Sequence, residues 1–283
     1  MSKHDKYEET RHTLTFPTFP DALASAKQTS ITREDILGDQ GSAFVLHNVL
    51  SQEECQFWIH HAETLGYESC RAAIRKVDRL PISSDEWAQM IFSRIRPFLQ
   101  LCVNLEPAES ACGIDSWFAC NRLARPLPKG IPASFPRRKW TPIGLNELFR
   151  VCRYQPGGYF LPHHDGGFNR NNEERSIQTC MLYLNDTFEG GPTNFYSESQ
   201  RHYKPGDSDK VLHTFRPRAG DAIIFNSAIT HDGGRVKHGL KYILRSEVMY
   251  SSSSGEKPAL RSYEPDHDSA VDFELDPDFD FDF

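Results

Sequence analysis

From Ser42 to Leu50 the chain reads SAFVLHNVL, an apolar run of strand length. Ser51 follows, and then Cys55, Trp58, Ile59, Ala62 and Leu65 recur every three or four positions, which places them on one face of a helix. Ser51 is a good N-cap for that helix because its hydroxyl can accept from an otherwise unpaired N–H. Glu53 and Glu54 add negative charge where the helix dipole favours it, and the pattern predicts a helix running to about Gly66. His60 and His61 lie beside the stripe. Adjacent helical side chains diverge by about 100°, so the two cannot share a metal and read as structural. A second helix is predicted from Ser84 or Asp85 to Leu101, where Trp87, Met90, Ile91, Ile95, Phe98 and Leu99 mark one face. Pro97 should kink or end it.

After Leu145 the pattern changes to short apolar runs. They cover Leu148–Tyr154, Ile177–Leu184, Thr193–Tyr196, Val211–Phe215, Asp221–Phe225 and Tyr242–Tyr250. Glycine pairs or Pro-Gly turns separate them, as at Gly157-Gly158, Gly190-Gly191 and Gly233-Gly234, where the simplest reading of the glycines is turn geometry. Many short strands with no helical pattern between them predict a sandwich or jelly roll.

Residues 1–40 are polar, lack periodicity and read as a flexible N-terminal arm. A single domain is expected over residues 41–250, followed by an acidic tail, 251–283, with too little aliphatic content to pack. The segment 122–139 has four prolines, six basic residues and no acids, and is expected to be a loop, either a plain connector or a cationic flap beside a site. The net charge of −7 is a property of the tail, whose nine acids after Ser262 leave the rest of the chain near +2. A body so close to neutral argues against nucleic acid as a partner. No apolar run is long enough to cross a membrane, and the first thirty residues lack the pattern of an export signal. Seven scattered cysteines without a CxxC pair suit reduced thiols and a cytoplasmic or nuclear location.

The densest cluster of metal-capable groups is QPGGYFLPHHDGG, which contains His163, His164 and Asp165. In an extended strand alternate side chains share a face, so His163 and Asp165 should converge while His164 turns away. A third ligand must come from elsewhere. His231, just after an apolar strand, is the best placed, with His213 and His202 behind it. Two imidazoles and a carboxylate on one side of an ion, with open positions opposite, is the ligand set of non-haem Fe(II) oxygenases.

The runs LFRVCRYQPGGYFLPHHDGG, RSIQTCMLYLNDTFEGGPTNFY, RPRAGDAIIFNSAITHDGG and GLKYILRSEVMY, in that order over about residues 143–250, resemble the Fe(II)- and 2-oxoglutarate-dependent dioxygenases, in particular their prolyl 4-hydroxylase-like branch. Upstream, VLSQEECQFWIHHAETLGY resembles the supporting helix of that branch. The resemblance implies a mainly β fold, a double-stranded β-helix or jelly-roll core supported by N-terminal helices. It implies His163, Asp165 and His231 as iron ligands, with no catalytic side chain beyond them. Lys241, ten positions after His231, would bind the far carboxylate of 2-oxoglutarate, with Tyr154 reaching the same group, Thr179 a weaker hydroxyl candidate, and Arg245 an understudy for Lys241 or for the substrate. Arg150 and Arg175 could face substrate, but charged residues that bound strands are usually solvated, so neither is counted in the site.

The same resemblance implies O2 as co-reactant, succinate and CO2 as products, and L-ascorbate as a further requirement. The acid at position 165 favours hydroxylation over halogenation, because related halogenases leave that coordination site to a halide. A prolyl residue of a protein or peptide leads as acceptor and a small molecule is the alternative within the class. The lack of an export signal, a retention tetrapeptide and a peptide-binding extension speaks against collagen. From other classes, a zinc hydrolase could use the same three ligands but has no need of Lys241, and a non-catalytic binding module would be expected to have lost a ligand.

Overall fold

The structure is a computed structural model that describes residues 30–37, 43–99, 103–105, 138–171, 173–196 and 211–252. Its strands are β1 (Thr32–Asp35), β2 (Ala43–His47), β3 (Glu68–Ala72), β4 (Arg75–Ser83), β5 (Val103–Leu105), β6 (Arg138–Leu145), β7 (Leu148–Tyr154) and β8 (Tyr159–His163). They continue with β9 (Glu174–Tyr183), β10 (Glu189–Gly190), β11 (Thr193–Tyr196), β12 (Val211–Phe215), β13 (Ala222–Asn226), β14 (His231–Gly233), β15 (Val236–His238) and β16 (Lys241–Ser252). Helices α1 (Gln52–Leu65) and α2 (Asp85–Ile95) precede the main run of strands. The strands pair antiparallel in the order β1-β2-β13-β9-β16-β7-β4-β8-β14-β11-β12, with β3 beside β4 and β6 beside β16. The result is the expected jelly roll with supporting helices.

Alternation along the strands divides the apolar residues into two cores. Ala43 and Val45 pack with Val77, Tyr154, Tyr183, Phe195, Phe225 and Ile243 inside the roll. Their neighbours Phe44 and Leu46 pack with Trp58, Trp87 and Phe149 beneath the helices. Each central strand is buried on both sides, as its period-two pattern of two apolar faces requires. Trp58 and Trp87, one from each helix, meet edge to face at 5.0 Å and Phe149 closes on Trp58 at 5.4 Å, so the helices are pinned to β7.

Helix α1 begins as its sequence predicts. Ser51 Oγ accepts from Glu54 N–H at 3.2 Å, and the Glu54 carboxylate accepts from Ser51 N–H at 2.8 Å, a complete capping box. Glu54 also takes both terminal nitrogens of Arg94 on α2 at 2.7 Å, locking the helices together below the core. Leu65, assigned to the buried stripe, is 45% exposed, at the last position of α1 before its Gly66 cap. Helix α2 stops at Ile95 and gives way to a single 3-10 turn, Arg96–Phe98, where Pro97 cannot supply an N–H to continue the helix.

The domain limits shift at both ends. Thr32–Asp35, expected in the arm, is a strand paired with β2, and Ser251 and Ser252, expected in the tail, complete β16. Arg138 and Lys139, expected at the end of the basic loop, begin β6. The rest of that loop, His202, most of the arm and the tail beyond Ser252 lie outside the described residues.

Candidate active site

His163 ends β8 and His231 begins β14, and the two are direct cross-strand partners. That register brings their rings to 4.3 Å between centroids. Each Nδ1–H donates to a backbone carbonyl two residues earlier, His163 to Leu161 at 2.8 Å and His231 to Ile229 at 3.0 Å. The proton is thereby fixed on Nδ1, and both Nε2 lone pairs are turned toward Asp165. Phe160 stacks on His163 at 3.5 Å, and Phe225 meets His231 edge-on at 4.6 Å, which holds both ring planes.

Asp165 arrives by a route other than strand alternation. β8 has already ended, and Asp165 is anchored by its own N–H donating to Ser227 O at 2.9 Å. Its carboxylate lies 3.6 Å from His163 Nε2 and 3.5 Å from His231 Nε2, and the three donor atoms sit within 4.8 Å of one another. His164 turns away and meets Thr230 Oγ1 at 2.9 Å. His213, on β12, is not in the cluster.

The donor set fits a divalent metal. Two imidazole nitrogens and one carboxylate converge, and no fourth ligating side chain joins them among the described residues. Burial first, then the neighbouring His163, push His231 down to about 3, so it is neutral and able to ligate. Burial alone would raise the Asp165 carboxyl, but Arg245 above all, then His231 and His163, hold it well below the usual range. Thr179 Oγ1 donates to Asp165 Oδ2 at 2.7 Å and Arg245 Nη2 meets Oδ1 at 2.9 Å. Each oxygen therefore keeps lone-pair capacity for an ion.

At the inner end of the pocket Lys241 is 2% exposed, and its Nζ donates to Gly191 O at 2.7 Å. The aromatic rings of Tyr154, Tyr183 and Phe188 stand 5.5, 5.5 and 5.9 Å from the ammonium. Burial pushes this lysine down to about 8, with Asp232 opposing the shift. Gly191 has φ +58°, and a Cβ there would come within 3.2 Å of the Lys241 stem, so this glycine cradles the lysine besides making a turn. Tyr154 and Lys241 are cross-strand partners and both line the pocket.

Two expectations change. Thr179 stands behind Asp165, bonded to it and to Ser227 Oγ at 3.1 Å, and so braces the carboxylate instead of reaching into the cavity. Arg150, read as solvated, donates to the buried Glu247 at 2.7 Å. Arg245 does face inward with Lys241, but its nearest charge is Asp165. Arg79, Thr193 and Asp232 also line the pocket and carried no sequence signal, since Arg79 sits in a strongly charged stretch and Asp232 beside the more conspicuous His231. Asp232 accepts from Tyr196 Oη at 2.6 Å and Asn194 Nδ2 at 2.9 Å, and burial raises its carboxyl.

A jelly roll with a buried two-histidine, one-carboxylate cluster at its mouth and a lysine at its inner end defines a metal-dependent class of domain. Residues 149–246 match the model of the 2OG-Fe(II) oxygenase superfamily, and the chain is similar to prolyl 4-hydroxylases. It is 25% identical over 200 residues to probable prolyl 4-hydroxylase 3 of Arabidopsis thaliana, covering 68% of this chain and 60% of that one. It is 32% identical over 87 residues to prolyl 4-hydroxylase 1 of the same plant, covering 30% and 31%. The chain thus spans less than two thirds of the length of these relatives. The viral collagen prolyl hydroxylase of Paramecium bursaria Chlorella virus-1 aligns at a TM-score of 0.42 with 20% identity, over 74% of this chain and 96% of that one.

Proposed function

We propose that this protein is an Fe(II)- and 2-oxoglutarate-dependent dioxygenase that hydroxylates a C–H bond, releasing succinate and CO2. The observation that carries the reading is the conjunction of the His163, Asp165, His231 cluster with a buried ammonium at the far end of the same cavity. A hydrolytic metal site has no use for that lysine, whereas a dicarboxylic cosubstrate with one end at the metal needs a cation for the other. Bound iron would supply the activation of dioxygen. The chain's own residues would fix the ligand rings through Leu161 O and Ile229 O, brace Asp165 through Thr179, and hold the distal carboxylate at Lys241 with Tyr154 beside it. The apolar walls around Val77, Ile243 and Met181 would keep water from the reacting atoms.

The prolyl 4-hydroxylase names of the relatives support a prolyl residue as acceptor, with a small molecule as the alternative. Ascorbate as a reductant is part of the same proposal. Unpaired cysteines suit a reducing compartment such as the cytoplasm: among those described, burial pushes both Cys55 and Cys180 up to about 12. The test is succinate release from 2-oxoglutarate in the presence of Fe(II) and O2. It should be lost in His163→Ala and in Asp165→Ala, and retention in either variant would refute the ligand set.

A further inference from the structure

The cavity wall is built by neighbouring strands β4, β7, β16 and β9, and their register arranges its charges in rows. Val77, Tyr154 and Lys241 form the innermost row, followed by Arg79, Cys152, Ile243 and Tyr183, and then by Arg150, Arg245 and Met181. Period-two alternation puts all of these on one face. The three guanidiniums are close enough to act on one another: burial first, and then Arg245 and Arg79 as like charges, lower the Arg150 pKa against the pull of Glu247.

The pairing of these charges leaves one over. Arg150 has Glu247 at 2.7 Å, Arg245 has Asp165 at 2.9 Å, and Lys241 has Asp232 as its main favourable charge. Arg79 lines the pocket and has no carboxylate partner among the described residues; the contact it makes is to the Cys152 thiol. A divalent metal and a dicarboxylate cosubstrate cancel each other's charge, so loading the site does not supply the missing anion. Arg245 adds a second vacancy, since its buried Nε has no hydrogen-bond partner. Arg79 is half-buried at the cavity wall, and a partly desolvated guanidinium with no counter-charge is well suited to take a carboxylate through its planar fork of donors.

We infer that the acceptor of this enzyme carries a carboxylate, anchored by Arg79 with the free Nε edge of Arg245 beside it. Arg75, on the same face of β4 toward Phe160, also lacks a carboxylate partner among the described residues and extends the positive field outward. The carboxylate belongs either to an acidic residue next to the target in a peptide or to a small acid, and the same anchor serves both. The inference rests on the dioxygenase reading above and narrows its substrate class.

Binding to the full chain loaded with Mn(II) and 2-oxoglutarate, without O2, tests it by calorimetry. The probes are acetyl-Asp-Pro-Gly-amide against acetyl-Asn-Pro-Gly-amide, and N-acetyl-L-proline against N-acetyl-L-prolinamide. At least one acid should bind about tenfold or more tightly than its amide, the size expected of a charge-assisted hydrogen bond. The peptide pair and the small-molecule pair separate the two sources. Arg79→Gln should bring that ratio below about threefold, and Arg79→Lys, which keeps the charge on a similar stem, should restore part of it. Acids and amides binding alike in the parent protein would overturn the inference, as would a ratio that survives Arg79→Gln. A 2-oxoglutarate affinity that falls in Arg79→Gln as much as acid binding does would reassign Arg79 to the cosubstrate. Failure of the parent protein to take up Mn(II) and 2-oxoglutarate at all would instead sink the dioxygenase reading.

Discussion

Lys241 has two states close in energy, because burial has brought its pKa down to about 8. A bound dicarboxylate favours the protonated form, so binding above pH 8 must take up a proton. Affinity for 2-oxoglutarate should be flat below about pH 8 and fall as pH rises, up to about tenfold per unit. Titrating cosubstrate affinity between pH 7 and 9.5 checks this, and Lys241→Arg, which stays charged, should abolish the slope. Lys241→Met should raise the 2-oxoglutarate requirement about 100-fold, the effect of unpairing a buried carboxylate. At the metal, the sequence was informative about ligand type and uninformative about support. HxD with a distal histidine could be read directly, but Thr179 and Arg245 take hold of Asp165 from strands remote in sequence. Thr179→Val keeps the shape and removes one donor; it should weaken metal retention several-fold, measured as metal content after gel filtration, with the fold preserved.

At the scale of elements, periodicity located α1, α2, β7, β11 and β12, whose apolar residues repeat with the period of one structure. The β3–β4 hairpin escaped it. RKVDRLPIS has paired charges and Pro81 and shows no clean period, yet Asp78 is 3% exposed and held by Arg71, Arg153 and Gln155. The two arginines come from the neighbouring strands β3 and β7, which local pattern cannot see. The joint between α1 and α2 is equally non-local. Arg94→Met would leave Glu54 buried without its bidentate partner, and chemical denaturation should show a loss of about 3 kcal/mol. The turn before β13 is set by Gly220, whose φ is +87° and whose carbonyl accepts from both Val49 and Leu50. A Cβ there would fall 2.3 Å from Leu50 O, so Gly220→Ala should cost about 2 kcal/mol or more, read by the same method.

For the whole molecule, the site joins β7, β8, β9, β14 and β16, so anything that binds across it should hold the roll closed. Mn(II) and 2-oxoglutarate at about 100 times their dissociation constants should add about 3 kcal/mol and raise Tm by several degrees, and His163→Ala should lose that shift. What the amino-acid order determined by itself was the alphabet of the site and the faces of its strands. The types and spacing of the metal ligands, the capped helix and the two-sided strands all follow from interactions within a few residues, where period and propensity act. Tertiary structure alone decided which strands lie side by side. That choice set His163 opposite His231, placed Arg245 on Asp165, and left Arg79 facing the cavity with no carboxylate partner among the described residues. Strand alternation states which face a side chain shares but not which neighbour it meets, because register and strand order come from burying both cores at once.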